Sequence, residues 1–164
     1  HLGFYRWEDG QNHPLPQDYA DMLGWRELAA KTRAAYQALP ADVRARTLIH
    51  CANYGQASAI NYYNRPCLTC TNWLPLPAAN SFNGSFLYWF PGQQNFDAVL
   101  IIDDEPDDAL ASHFARYYRA GAITNLYARE RGTTITVGLR PDSAVQQLLR
   151  REWRQARAAW ENNR

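Results

Sequence analysis

The chain has 164 residues, a formal net charge of +1, 46% hydrophobic residues and 20% charged residues. That length fits one domain able to bury roughly 70% of its unfolded surface, and the composition is that of a globular chain, not a disordered one. Near-neutrality argues against nucleic acid as a partner, because phosphate contacts require a basic surface, and no run of about 18 apolar residues predicts a membrane span.

Residues 1–20 place Gly10, Pro14 and Pro16 among polar side chains, which predicts an extended lead-in to one α/β domain over residues 21–164. Asp18 or Asp21 is expected to cap the next helix. There Trp25, Leu28, Ala29, Thr32, Tyr36 and Leu39 recur at helical spacing, up to Pro40. Residues 46–53 (RTLIHCAN) predict a short buried strand, and an Ala-rich helix follows through Tyr63. Residues 67–73 predict a second strand. Residues 74–95, rich in Pro, Asn, Ser and aromatics, predict a long loop with a helical turn near 85–89. The clearest strand is 96–102 (FDAVLII), a continuous apolar run of the kind covered on both faces. Pro106 and Asp107 are expected to open a helix running to about Arg119. A strand over 133–139 precedes a last helix with Val145, Leu148, Leu149, Trp153, Ala156 and Trp160 on one face. Its other face carries Arg150, Arg151, Arg154 and Arg157. The alternation predicts a three-layer, Rossmann-like domain with a mainly parallel sheet flanked by helices.

Three stretches carry residues capable of chemistry. Asn53-Tyr54-Gly55-Gln56-Ala57-Ser58 follows the first strand, where open α/β sheets bind ligands and helix N-termini offer free N–H groups. Asn53 equally suits a plain helix cap there. Asn80 to Trp89 interleaves amides and hydroxyls with aromatics, a mixture matched to sugars, including Asn83, Tyr88 and Trp89. Asp103-Asp104-Glu105-Pro106-Asp107-Asp108 offers paired carboxylates, although acids at a helix start serve the helix dipole. The sequence contains neither G-x-G-x-x-G nor a Walker motif nor a serine nucleophile elbow, so no cofactor and no catalytic residue are assigned. Cys67 and Cys70 form a CxxC, but no second ligand pair accompanies it, so no metal is assigned. His50, inside an apolar strand, reads as a hydrogen-bonded core histidine, and His113 as a mid-helix residue.

Leu15-Pro16-Gln17, Ala20-Asp21-Met22-Leu23-Gly24-Trp25-Arg26-Glu27-Leu28-Ala29 and Asn53-Tyr54-Gly55-Gln56-Ala57-Ser58-Ala59-Ile60-Asn61-Tyr62-Tyr63 together form a pattern. It resembles the carboxyl-terminal region of bacterial membrane glycosyltransferases similar to dolichyl-phosphate-mannose protein mannosyltransferases and aminoarabinose lipid A transferases. Gln56 and Asn61 stand where that pattern has acids, Asn83 stands at its histidine, and Leu126 replaces a proline in Asn125-Leu126-Tyr127-Ala128. The resemblance implies a multi-pass parent enzyme using polyprenyl-phosphate-linked sugars, with its catalytic carboxylates in the membrane domain. This region would then face the periplasm or cell exterior, where a Cys67–Cys70 or Cys51-linked disulfide becomes possible.

The resulting expectation is an extracytoplasmic accessory domain, read as a piece of a longer chain whose membrane domain is its partner. It would assist acceptor or glycan binding, or binding of a lipid-linked sugar, or steady the membrane domain. Asn53, Tyr54, Gln56, Ser58, Asn83, Tyr88 and Trp89 are the expected ligand contacts. The alternatives are a stand-alone thiol oxidoreductase using the CxxC and a purely structural docking domain.

Overall fold

A computed structural model describes residues 5–66, 74–92, 95–104 and 108–163. Residues 5–13 fold back through a bridge between Arg6 and Asn12, with the Trp7 and His13 rings stacked 3.6 Å apart. Helices α1 (Gln17–Ala20), α2 (Trp25–Gln37) and α3 (Ala41–Arg44) lead into strand β1 (Thr47–Cys51) and helix α4 (Tyr54–Tyr63). Strand β2 (Ala79–Asn80), a 3-10 helix (Gly84–Trp89) and strand β3 (Ala98–Asp103) follow. A second 3-10 helix (Asp108–His113), strands β4 (Phe114–Ala122) and β5 (Thr134–Pro141) and helix α5 (Ser143–Asn162) complete the described chain.

The five strands form one sheet in the order β2-β1-β3-β5-β4. Pairs β1–β2 and β1–β3 are parallel; β3–β5 and β4–β5 are antiparallel. The expected mainly parallel sheet is therefore corrected to a mixed one. The cause is the segment 108–122, which forms a 3-10 turn and then an edge strand where a helix to Arg119 was expected. Phe114, Tyr117 and Tyr118 have helical spacing, but these aromatics also suit a strand, and pairing with β5 decides between the two. With β4 extended, the chain returns as an antiparallel neighbour through residues 123–133, which needs no helical crossover. The strand expected at 67–73 lies outside the described residues.

Neither Asp18 nor Asp21 caps α2. Asp18 lies within α1, Asp21 follows it, and the N-cap is Gly24 at φ 86°. A side chain there would meet Ala128 and Ile123 at about 3 Å, so the tight reversal into α2 demands glycine.

Side chains alternate along β1 and β3, and both faces are covered. Ile49, Cys51, Leu100 and Ile102 pack with Ile135 and Val137 beneath α2 and α4. Leu48 and Val99 pack on the opposite face with Phe90, Phe96, Phe114, Val145 and Leu149 of the aromatic segment, β4 and α5. The helical turn expected near 85–89 is present as the first 3-10 helix.

In the first turn of α2, Glu27 accepts hydrogen bonds from Lys31 Nζ (2.6 Å), Thr124 N (2.9 Å) and Asn125 N (3.1 Å), fastening the β4–β5 loop to the helix. Burial opposes its ionisation, but these donors outweigh it and hold the carboxyl at about 2. A depressed carboxylate pKa contributes stability above the unfolded value and loses it as pH falls through the folded one. Glu27→Ala is expected to lower unfolding free energy by about 2 kcal/mol at neutral pH. In denaturant titrations at several pH values, its difference from wild type should shrink as pH falls from 4.5 towards about 2. The Phe114 ring lies against the Cα of Gly138, where an added methyl would overlap it. Gly138→Ala should therefore lower stability by roughly 2 kcal/mol, measurable by thermal unfolding.

Candidate functional site

The chain leaves β1 and crosses one face of the sheet through α4 to reach β2. It then returns across the other face, through Phe82, Phe90 and Phe96, to β3 on the far side of β1. Connections diverging to opposite faces open a crevice at the carboxyl ends of β1 and β3, the position where open α/β sheets take ligands.

Asn53 opens α4 with a reciprocal cap: its side chain accepts from Gln56 N at 3.0 Å, and Gln56 Oε1 accepts from Asn53 N at 3.4 Å. The remaining end of the fully buried Gln56 points across the crevice. Its Nε2 donates to Asp104 Oδ1 at 3.1 Å and Glu130 Oε2 at 3.4 Å. The Thr133 hydroxyl also faces both carboxylates, with Asp104 the closer. Burial and the neighbouring Asp104 charge raise the Glu130 pKa, although the Gln56 and Thr133 donors oppose the rise. An acid at position 56 would place a third carboxylate against this pair; the amide supplies donors instead.

Asn83 reaches the same end of the sheet, its Nδ2 donating to Ala52 O at 2.9 Å. Nearby, His50 Nδ1 lies 2.9 Å from Asn80 Oδ1, and its ring packs on Phe82. Burial lowers the His50 pKa against the pull of Asn80 and Asp103, consistent with a hydrogen-bonded core histidine. Cys51 is a buried free thiol, and burial pushes its pKa well above the usual range. Cys67 and Cys70 lie outside the described residues.

Tyr54 and Ser58 sit elsewhere, on the outer face of α4. Residues 54, 58 and 62 are spaced four apart, so they share one stripe, and with Trp25 and Tyr63 they line a cleft of about 350 Å³. Gly55 lies beside the Trp25 indole, and a Cβ there would stand 3.1 Å from Asn53 Oδ1, so the glycine leaves room for the cap. Trp25 Nε1 is held by Asp21 O. Tyr54 and Tyr62 are 63% and 54% exposed, large rings left open to solvent. Arg65 stacks over Tyr62 at 4.2 Å and Arg26 over Tyr63 at 5.7 Å.

Tyr88 and Trp89 lie on the first 3-10 helix and are also exposed. Tyr88 turns towards Arg157 of α5, on the other side of the sheet from the α4 cleft, while Trp89 packs on Phe86 at 4.9 Å. The seven expected contacts thus divide into three groups: Asn53, Gln56 and Asn83 at the crevice, Tyr54 and Ser58 in the cleft, and Tyr88 and Trp89 on the turn. His113 ends the second 3-10 helix, bound to Asp142 at 2.8 Å, and is not a mid-helix residue.

Sequence reasoning did not single out Trp25, Tyr62 and Tyr63 as cleft walls, although the four-residue spacing from Tyr54 to Tyr62 is a usable signal. Nor did it reach Glu130 and Thr133, which carry no local signal. Asp104, expected either among paired carboxylates or at a helix start, follows β3 and shares the Gln56 amide with Glu130; the next described element is the 3-10 helix Asp108–His113. Among the described residues, no group of three or more His, Cys, Asp or Glu is placed to hold a metal. No family model, curated protein or solved structure matches this chain.

The raised Glu130 pKa carries a stability consequence. A carboxyl whose folded pKa lies above its unfolded value contributes stability below the latter and loses it as pH rises through the former. Glu130→Gln keeps the acceptor without the charge. It is expected to raise the melting temperature at neutral pH, with the gain vanishing as pH falls below the ordinary glutamate value of 4.5. A neutral-pH melting temperature equal to or below that of wild type would show that the Asp104–Glu130 repulsion is not a net cost.

Proposed function

We propose that this chain is an accessory, saccharide-holding domain of an extracytoplasmic region belonging to a polyprenyl-phosphate-sugar-dependent membrane glycosyltransferase. It works beside the membrane domain of the same polypeptide. The observation that carries the reading is the aromatic cleft of α4: Trp25, Tyr54, Tyr62 and Tyr63 around the Ser58 hydroxyl. Sugars pair apolar ring faces with a rim of hydroxyls. Tyr and Trp offer a flat apolar body with a polar tip, and Ser58 adds a further hydrogen-bonding group. The resemblance over Leu15 to Tyr63 runs through the residues that build this cleft, and the parallel β2-β1-β3 half is the Rossmann-like part of the reading. The resemblance is what assigns the lipid-linked donor and the chemistry to the parent's membrane domain; among the described residues, no helix is long and apolar enough to cross a membrane.

The test is saturation-transfer NMR of the protein against short oligosaccharides and the headgroups of polyprenyl-phosphate sugars. Transfer to sugar ring protons is expected, weakened about tenfold in affinity by Tyr54→Ala and again by Tyr62→Ala, and unchanged in Trp89→Ala. Loss in Trp89→Ala alone would move recognition to the first 3-10 helix. No transfer at millimolar sugar would overturn the proposal.

A further inference from the structure

On the sheet face opposite the aromatic cleft, the first half of α5 and the second 3-10 helix enclose a cleft of about 710 Å³. Its apolar part is formed by Leu110, Ala144 and Leu148, and its rim by His113, Arg151 and Arg154. The cations at that rim differ from the other arginines of the helix. Arg157 is paired with Glu161 at 2.7 Å, and Arg150 bonds Asn95 at 2.6 Å. Arg151 and Arg154, three residues apart and both exposed, have no ion-pair or hydrogen-bond partner among the described residues. Asp142, an acid beside the cleft, already accepts from His113 and from the Ala144 and Val145 N–H groups. Across α5 four arginines (150, 151, 154, 157) face two glutamates (152, 161), a surplus of +2 in a chain whose net charge is +1.

An occupant must therefore be anionic at the rim and tolerate apolar contact beneath it. A soluble phosphate is poorly served: the helix N–H groups that would grip it are taken by Asp142, and the arginines stand on an open surface. A bilayer surface fits better. α5 is about 30 Å long at 1.5 Å per residue. Beyond Arg154 it keeps Gln155, Ala158 and Ala159 exposed, which extends the contact along its length. Long arginine side chains reach phosphates while their stems cover apolar groups.

We propose that this cleft docks on an anionic membrane surface, with Arg151 and Arg154 meeting lipid phosphates and Leu110 and Leu148 facing the layer beneath them. The contact is electrostatic and reversible, as expected for a surface without a deep apolar anchor. It stands on residues separate from the saccharide cleft and does not depend on that reading.

Co-sedimentation with vesicles tests it, using phosphatidylcholine alone and phosphatidylcholine mixed with phosphatidylglycerol. Binding is expected to the mixed vesicles at low salt, not to the neutral ones, and to fall away at high salt. Arg151→Gln with Arg154→Gln should weaken it about 25-fold, at about fivefold per arginine near an anionic surface. Arg116→Gln with Arg119→Gln, the same charge change on the β4 edge, should leave it intact; circular dichroism confirms that each variant folds. Absence of binding to the mixed vesicles, or equal loss in both double variants, would overturn the proposal. Full displacement by inorganic phosphate at constant ionic strength would also overturn it, assigning the cleft to a soluble anion.

Discussion

Val99 and Leu100 of β3 point to opposite faces of the sheet, and each enters a different apolar cluster. A central strand buried on both sides forces the chain to supply cover twice. The helices α2 and α4 give one layer, while α5 with the phenylalanines of the return segment gives the other. Both β1 and β3 obey this demand, and their parallel pairing then fixes where the connections cross. Because those crossings go to opposite faces, the carboxyl ends of β1 and β3 are left without a helix over them. The polar crevice is a consequence of how the core is covered.

Three loops meet there, and each brings groups that would be costly to bury alone. Gln56 joins them: one end closes the cap of α4, and the other donates to carboxylates from two separate loops. A single amide thus couples the start of a helix to the ends of β3 and of the β4–β5 loop. Glu27 performs the corresponding task from α2, holding the beginning of that same loop by Thr124 and Asn125. The loop is fixed at both ends, which is why Glu130 is held beside Asp104 despite their like charges.

The exposed features lie on different faces of this frame. Tyr54, Ser58 and Tyr62 share a stripe of α4 because its opposite stripe, with Ala57 and Ile60, is committed to the core. Arg151 and Arg154 face away from Val145 and Leu149 for the same reason on α5. The proposed saccharide cleft and the proposed membrane contact are therefore on opposite layers, and occupation of one leaves the other open.

Local patterns in the sequence determined much of this. The apolar runs at 46–53 and 96–102, the periodicity of α2 and α5, the turn near 85–89 and the Asn53 cap are all encoded within a few residues of each other. Segment 114–122 was not legible, because its aromatics fit a helix or a strand equally well and only β5 settles the choice. With that strand misplaced, the antiparallel half of the sheet could not be foreseen. The crevice was half legible: Asn53 and Gln56 follow from position after a strand and Asn83 from a loop that mixes amides with aromatics, but Glu130 meets Gln56 across 74 residues of sequence. Periodicity and capping act through neighbours along the chain, so a sequence displays them. A carboxylate pair, a cleft wall supplied by another helix and an arginine left unpaired depend on which distant segments pack together, and only the tertiary structure decides that.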